Sequence, residues 1–569
     1  MNPSPDPAVS RPGEIVRDAQ AQPLADTRRH VPLLRIPPFP GSRSTTFSRL
    51  ADGPRPDAEI SEAVDLLCRS RVGGSYWAAQ PSLLAKRYTL VRIRDRNRRA
   101  AALRDAATAA RIVCLLDSRE EARSIGEPIH TVTVPCDPWH LLNGASEVVV
   151  DADDELALLA ASAGVPIRSA GPDPTGVDLR ATLCSQLAAF NYFDPFTGDP
   201  ISLAEAIGYC AFWRQLIDSN RGIDSAIGFA FWKRPTVAPL LWSGSGKVRF
   251  VSRPPERTAA ERIAVWKART APAILAQLER SEAELVEVED GFIRSAGLGA
   301  DCVPPLSIVV DAAGAHFDPR QPSELETMLQ DAEFDGGLLE RAKQLRELIV
   351  ESGLSKYASG NGAIERHASS ARQILVPGQV EDDRAVILGG CGLSSNFELL
   401  RRVRAQAPNA HILYKPHPDV EAGHREGAIH DDKCLKIADE IIRDHSISAL
   451  IEAVDEVHVN SSLAGFEALL RNKPVTTYGV PFYAGWGLTR DFGPVPARRT
   501  ARRTIDELVA AVLLLYPRYL DPVTGLPCPP EILISRLAEA GSRSGGLVVS
   551  LRRLQGRVRR SLSAFWRGR

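Results

Sequence analysis

A chain of 569 residues is too long for one ordinary domain; at about 150 residues per domain it calls for three or four. Its 69 basic and 70 acidic side chains leave a net charge of −1, which excludes the strongly basic profile of a nucleic-acid binder. The nine cysteines form no CxxC pair and their odd number closes no disulfide framework, so reduced thiols are expected. No apolar run approaches the ~20 residues of a membrane span. The start, MNPSPDPAVSRPGE, lacks the apolar core of a signal peptide, and a cytoplasmic location is expected.

Residues 1–57 are rich in Pro, Arg, Asp and Ser and read as disordered or extended. From residue 58 to 190, short β-branched runs (RIVCLLDS, TVTVPC, EVVVDA) alternate with helical patterns such as DELALLAASAG, which predicts parallel α/β structure. The same style fills 191–370 and 371–540. Its predicted strands are SAIGFAFW, KVRFVS, AELVEVEDG, RQILVPGQ, AVILGG, AHILYKP, EVHVNSS and KPVTTYG. Its predicted helices include ERIAVWKARTAPAILAQLER, NFELLRRVRAQ and GFEALLR. The stretch from Pro322 to Gly353 reads as helices crossing between two halves. A basic tail, 541–569, closes the chain.

The chain repeats itself. NYFDPFTGDPISLAEAI, from Asn191, matches RYLDPVTGLPCPPEILI, from Arg518. Upstream, LLNGASEVVVDADDELALLAASAGVPIRSAG, from Leu141, parallels LIEAVDEVHVNSSLAGFEALLRNKPVTTYG, from Leu450. Where the later copy has Asn460, Ser461 and Ser462, the earlier has Asp151, Ala152 and Asp153; where the later has Glu467, the earlier has Leu158. The first module is therefore read as a degenerate, structural one.

Five segments of the later module can carry chemistry. Glu289-Asp290-Gly291 follows the strand LVEV, where side chains at a carboxyl strand end enter the ligand crevice of α/β proteins. Gln379-Val380-Glu381-Asp382 follows the strand ILV and places carboxylates at a second strand end. Two such groups are what glycosyl transfer needs: one for the acceptor proton, one for the oxocarbenium-like centre. Lys415-Pro416-His417-Pro418 holds a cation and an imidazole out of helix after HILY, suited to a phosphate; His424 is an isolated metal-ligand candidate with no partner at ligand spacing, so no metal is expected. Asn460-Ser461-Ser462 opens a helix whose N–H groups suit a phosphate, with Glu467 one turn in, placed to accept ribose hydroxyls. Tyr483, Gly485 and Trp486 lie in a loop that either closes over a sugar or base or pins itself to the core. The signatures of P-loop ATPases, zinc proteases and serine hydrolases are missing.

In order, EDGFIRSAGLGADCVPPLS, VPGQVEDD, YKPHPDV and NSSLAGFEALLRNKPVTTYGVPFYAGWGLT resemble the capsular polysaccharide Kdo (3-deoxy-manno-octulosonic acid) transferases of the KpsC/KpsS type, as do the DPxTGxP segments and the tandem arrangement. The resemblance covers about Asp194 to Ala540. It implies a GT-B-like fold of two facing Rossmann-like domains, 191–370 and 371–540, preceded by the degenerate module. It implies a CMP-β-Kdo donor used without metal or other cofactor, a lipid-linked glycan acceptor, and retention of configuration. His417, Pro418, Ser461 and Ser462 match the motifs that bind the CMP phosphate, and Gly291, Arg294, Gln379, Lys415, Asn460 and Glu467 complete the implied donor site. Asp382, or its neighbour Glu381, is the implied nucleophile, with Glu289 or Asp290 as acid/base. Because only one module keeps these residues, a single linkage type follows, and another CMP-activated nonulosonic acid stays open as the sugar.

The tail GGLVVSLRRLQGRVRRSLSAFWRGR mixes apolar residues with arginines, a composition for peripheral contact with an anionic inner membrane. Two competing readings are a non-catalytic capsule assembly or export factor and a transferase for another nucleotide sugar.

Overall fold

Each of the three large sheets starts at a strand that ends up inside the sheet, the mark of doubly wound α/β structure. The computed structural model describes residues 31–51, 57–83, 86–106, 111–126, 128–169, 178–254, 262–293, 303–353, 371–423 and 425–543. In chain order, β1 (Ser48–Leu50) precedes β2 (Tyr88–Arg92), β3 (Ile112–Leu116), β4 (His130–Thr133), β5 (Ala145–Val150) and β6 (Ile167–Ser169). The last five form a parallel sheet ordered β4-β3-β2-β5-β6. β7 (Phe190–Phe193) and β8 (Pro200–Ile201) make a small antiparallel sheet with β1.

β9 (Ile223–Ile227), β10 (Phe250–Val251), β11 (Arg262–Val265) and β12 (Glu284–Asp290) are the parallel part of a second sheet. β13 (Ser307–Asp311) joins β12 antiparallel. The third sheet is wholly parallel. It contains β14 (Gln373–Pro377), β15 (His411–Lys415), β16 (Glu440–Ile441), β17 (Glu456–Val459), β18 (Val475–Thr477) and β19 (Arg490–Asp491), ordered β16-β15-β14-β17-β18-β19. β20 (Pro517–Leu520) and β21 (Pro527–Cys528) then return to the second sheet beside β13, making it seven-stranded. So the Rossmann-like order holds for the third sheet, while the second is parallel over only four strands.

The sequence repeat is a repeat of structure. β5, the helix Glu155–Ser162 and β6 correspond to β17, the helix Leu463–Leu470 and β18. The two DPxTG segments form like turns. Asp194 accepts the N–H groups of Phe196 and Thr197 at 2.7 and 3.0 Å; Asp521 accepts those of Val523 and Thr524 at 3.2 and 2.9 Å. The copies also meet, as Arg536 donates to the Phe196 carbonyl at 2.7 Å and Trp213 to that of Pro527 at 2.9 Å.

Buried strands read as unbroken apolar runs because helices cover both faces; all five residues of β14 are buried. The helix Asn396–Gln406 matches its predicted span. Ser395 caps it, and Leu399, Leu400 and Val403 form its buried stripe.

Four sequence expectations need correction. AVILGG, read as a strand, lies in the helix Arg384–Gly389, because the Asp383 carboxylate caps it by accepting the Ala385 N–H at 2.9 Å. The start of ERIAVWKARTAPAILAQLER is β11; only Pro272–Glu279 is α-helical, with Pro272 at its first turn. Ser307–Asp311 is a fully buried strand that the reading did not include. Within the stretch read as disordered or extended, residues 31–51 are extended but packed, with Leu33, Leu34, Phe39 and Phe47 in the first core. The helices Glu324–Asp331 and Gly336–Glu351 share a core with β14 and β17.

Candidate active site at the meeting of two sheets

The order of the third sheet reverses between β14 and β17, the topological switch point at which α/β proteins bind ligands. Gln379 spans it. The Gln379 carbonyl oxygen accepts the Ser461 N–H at 3.0 Å, and its amide reaches the Ser461 hydroxyl at 3.3 Å. Ser462 caps the helix Leu463–Leu470, accepting the Ala464 N–H at 3.2 Å. Asn460 is buried, donates to the Leu393 carbonyl at 2.6 Å, and leaves its side-chain oxygen without a hydrogen bond. That oxygen lies so close to Gly479 that a Cβ there would stand 2.5 Å from it, so only glycine fits. Gln379, Asn460, Ser461 and Ser462 thus converge as the motifs led one to expect.

His417 caps the short helix Pro418–Glu421, its Nδ1 accepting the Asp419 N–H at 3.1 Å. A neutral ring so held carries its proton on Nε2, which is then a donor. Pro418 occupies the first helical position. Lys415 does not open onto the crevice as expected: it is buried, and its ammonium donates to the Arg443 carbonyl at 3.1 Å. Burial pulls its pKa down.

The opposing carboxylates stand at the end of β12. The Glu289 side chain is only 15% exposed, and its desolvation pushes the carboxyl up to about 8, against the lowering effect of Arg384. Asp290 pairs with Lys233 at 3.1 Å. Gly291 passes so close to Ser307 that a Cβ would lie 2.3 Å from the hydroxyl. Arg294 lies outside the described residues. Arg384 joins the two halves: from the first turn of its helix, one guanidinium nitrogen reaches Glu287 and Glu289, each at 2.8 Å. Its planar group also lies 5.2 Å from the Phe317 ring. Lys267 holds the other side of Glu287 at 2.8 Å.

The second acidic cluster is engaged differently from expectation. Glu381 accepts the Asn396 N–H at 2.7 Å at the start of a helix. Asp382 is exposed and pairs with Arg425 at 3.1 Å. Glu467 is buried within its helix rather than presented to a ribose.

The lid reading of the aromatic loop is overturned. Tyr483 and Trp486 are fully buried. Tyr483 donates to the Ser462 carbonyl and Trp486 to the Phe482 carbonyl at 2.8 Å, while the Gly485 N–H is held by Asp491 at 2.9 Å. Arg499 clamps the loop through the carbonyls of Pro481 and Ala484 at 2.9 and 2.8 Å. The loop therefore braces the floor beneath Ser462 and offers no ring to a ligand.

The first module's equivalent edge is filled by its own charges. Arg92 pairs with Asp117 at 2.7 Å, Arg94 with Asp153 at 3.0 Å and Arg98 with Asp151 at 2.8 Å. Carboxylates stand there in place of Asn460 and Ser462, and they repel a phosphate.

Arg384, Lys233 and Glu287 were not singled out from sequence. The one signal available was position, since Lys233 follows β9 and Arg384 opens the helix after β14, both at carboxyl strand ends. Among the described residues no cluster of His, Cys, Asp and Glu could hold a metal ion, and no helix is long and apolar enough to cross a membrane.

Two sheets joined by the Arg384–Glu289 ion pair beside a serine-capped helix define an α/β protein of the GT-B-like class. Residues 261–519 match the family model described as capsule polysaccharide biosynthesis protein. Over 338 residues the chain is 40% identical to the capsule polysaccharide modification protein LipA of Neisseria meningitidis serogroup A, covering 58% of this chain and 48% of LipA. It thus spans about half the length of that relative. Two solved structures from Thermosulfurimonas dismutans also match. The KpsC β-Kdo 2,7 transferase is 34% identical over 56% of this chain and 99% of its own, with a TM-score of 0.45. The KpsC β-Kdo 2,4 transferase is 31% identical over 56% and 98%, with a TM-score of 0.49. The capsule polysaccharide biosynthesis match thus takes in the second and third sheets, from β11 into β20.

Proposed function

We propose that the protein transfers Kdo from CMP-β-Kdo to a lipid-linked glycan acceptor in capsule synthesis, with retention. The observation that carries this reading is the largely enclosed Glu289 carboxyl, held up to about 8 by desolvation and facing a cation of the opposite half. Such a group exchanges its proton near neutral pH, as an acid/base in glycosyl transfer must. The CMP phosphate is placed against the hydroxyls and N–H groups at Ser461 and Ser462 and the Nε2–H of His417. The reading uses no metal and no cofactor.

Retention takes two inversions. In the first, a carboxylate oxygen bonds to the anomeric carbon as that carbon's bond to the phosphate oxygen breaks, and CMP departs with the electron pair. In the second, an acceptor hydroxyl bonds to the same carbon, its proton passes to the acid/base, and the carboxylate is released. We assign the nucleophile to Asp382, since Glu381 is already bound to the Asn396 N–H. Asp382 must leave Arg425 to act. Glu289 is the acid/base, with Asp290 beside it held by Lys233.

Intact-mass measurement during turnover tests the assignment. Glu289→Gln should accumulate protein carrying one sugar residue, and Asp382→Asn should carry none and be inactive. An adduct on Asp382→Asn, or full activity of that variant, removes Asp382 from the role.

A further inference from the structure

The carboxyl edge of β10-β9-β11-β12 carries a second feature beside Asp290. The loop after β9 and the turn after β11 bring cations onto aromatic rings there. Lys233 lies 3.3 Å from the centre of the Trp266 ring. Arg269 lies 5.9 Å from the Trp232 ring, and Arg234 lies 5.4 Å from that of Phe250, with its Nε donating to the Phe229 carbonyl at 3.2 Å. Arg234 and Arg269 are exposed, and among the described residues neither has a carboxylate within 4.0 Å. Phe231, next to Trp232 on the loop after β9, is 61% exposed.

We propose that this rim is the acceptor subsite and that it recognises a sugar acid, the carboxylate-bearing terminal residue of the acceptor glycan. The proposal rests on the transferase reading above. A guanidinium is the fitting partner for a carboxylate, because its fork donates two parallel hydrogen bonds. Stacking on Trp232 and Phe250 orients both forks in advance, so less side-chain freedom is lost on binding. Phe231 gives a sugar ring an apolar face to lie against. The rim adjoins Asp290 through Lys233, so an acceptor held there has its hydroxyl beside the acid/base. A neutral sugar would leave both arginines without a counter-charge. The donor phosphate is bound on the other half, so these cations are not needed for it.

Calorimetric titration of the full chain with the methyl glycoside of Kdo, and with its carboxamide analogue, tests this without donor or turnover. The wild type should bind the acid at least tenfold more tightly than the carboxamide. The pair Arg234→Ala with Arg269→Ala should weaken the acid tenfold or more, Phe231→Ala should weaken both sugars, and Arg269→Glu should weaken the acid more than Arg269→Ala. Lys247→Ala, before β10 and away from this edge, is the control and should change nothing. No binding by the wild type, equal binding of acid and carboxamide, unaltered binding by the arginine variants, or displacement of the sugar by equimolar inorganic phosphate each overturns the proposal. Binding without any sugar transfer would instead defeat the transferase reading, while transfer with an unchanged acceptor KM in the arginine variants would defeat the rim alone.

Discussion

One guanidinium nitrogen of Arg384 stands 2.8 Å from Glu289, and this ion pair joins the six-stranded half to the seven-stranded half at the candidate reacting centre. Burial raises the Glu289 carboxyl and Arg384 lowers it, with burial the larger effect. Arg384→Ala should therefore move Glu289 further up. Glu289 takes up the acceptor's proton and must be ionised to do so, so the acidic limb of the pH–rate profile, near 8 in the wild type, moves to higher pH in Arg384→Ala. Glu289→Gln should abolish the limb and cost ~10²–10⁴ in rate.

The same shift has a stability sign. The Glu289 carboxyl rises from an ordinary 4.5 to about 8 on folding, so between these values the folded state holds the extra proton. Its stabilising contribution is complete below about 4.5 and is lost as pH rises through about 8. Melting temperatures measured across this range should fall more steeply for the wild type than for Glu289→Gln; parallel curves would contradict the shift.

His417 does two things that substitution can separate. It caps a helix through Nδ1, and in the proposed site it donates from Nε2. Asparagine can keep the cap through its carbonyl oxygen, but its amide is too short to place an N–H where Nε2 donates. His417→Asn should hold its stability to within ~1 kcal/mol and lose CMP affinity by ~10–100-fold, the worth of one charge-assisted hydrogen bond. Calorimetry with CMP, beside a denaturation curve, checks both halves.

The aromatic loop is structural, so its variants should fail by unfolding. Trp486 is fully buried, and Trp486→Ala should cost about 3–5 kcal/mol of stability. Urea denaturation should show that loss. A variant of normal stability with only a raised acceptor KM would restore the lid reading.

Glu326 ties the helix Glu324–Asp331 to Arg498 and Arg499, with Arg499 at 2.8 Å and both members of that pair buried. Removing one side of a buried pair leaves the other uncompensated. Glu326→Ala should therefore destabilise by about 3–5 kcal/mol. Because Arg499 also holds the loop beneath Ser462, CMP affinity should fall with it.

Much of this was legible in the chain. β14, β15, β17 and β18 are apolar runs ended by polar motifs, and the paired DPxTG segments announced the repeat. Other features had no one-dimensional trace. AVILGG has strand composition, but Asp383 in front of it caps a helix. Tyr483 and Trp486 would have the same letters in a lid and in a buried brace; only packing separates the two. Arg384 belongs to no motif, and its importance comes from a contact with Glu289, 95 residues earlier. Leu33, Leu34, Phe39 and Phe47 sit among prolines and arginines that masked a packed segment.

The most direct test is release of CMP from CMP-β-Kdo, generated in situ, with a synthetic Kdo-primed lipid acceptor, comparing wild type with His417→Ala. The account predicts acceptor-dependent release by the wild type and a collapse of that release in the variant. No release by the wild type, together with no CMP binding by calorimetry, would contradict it and leave the Arg384–Glu289 pair and the serine-capped helix to a non-catalytic role.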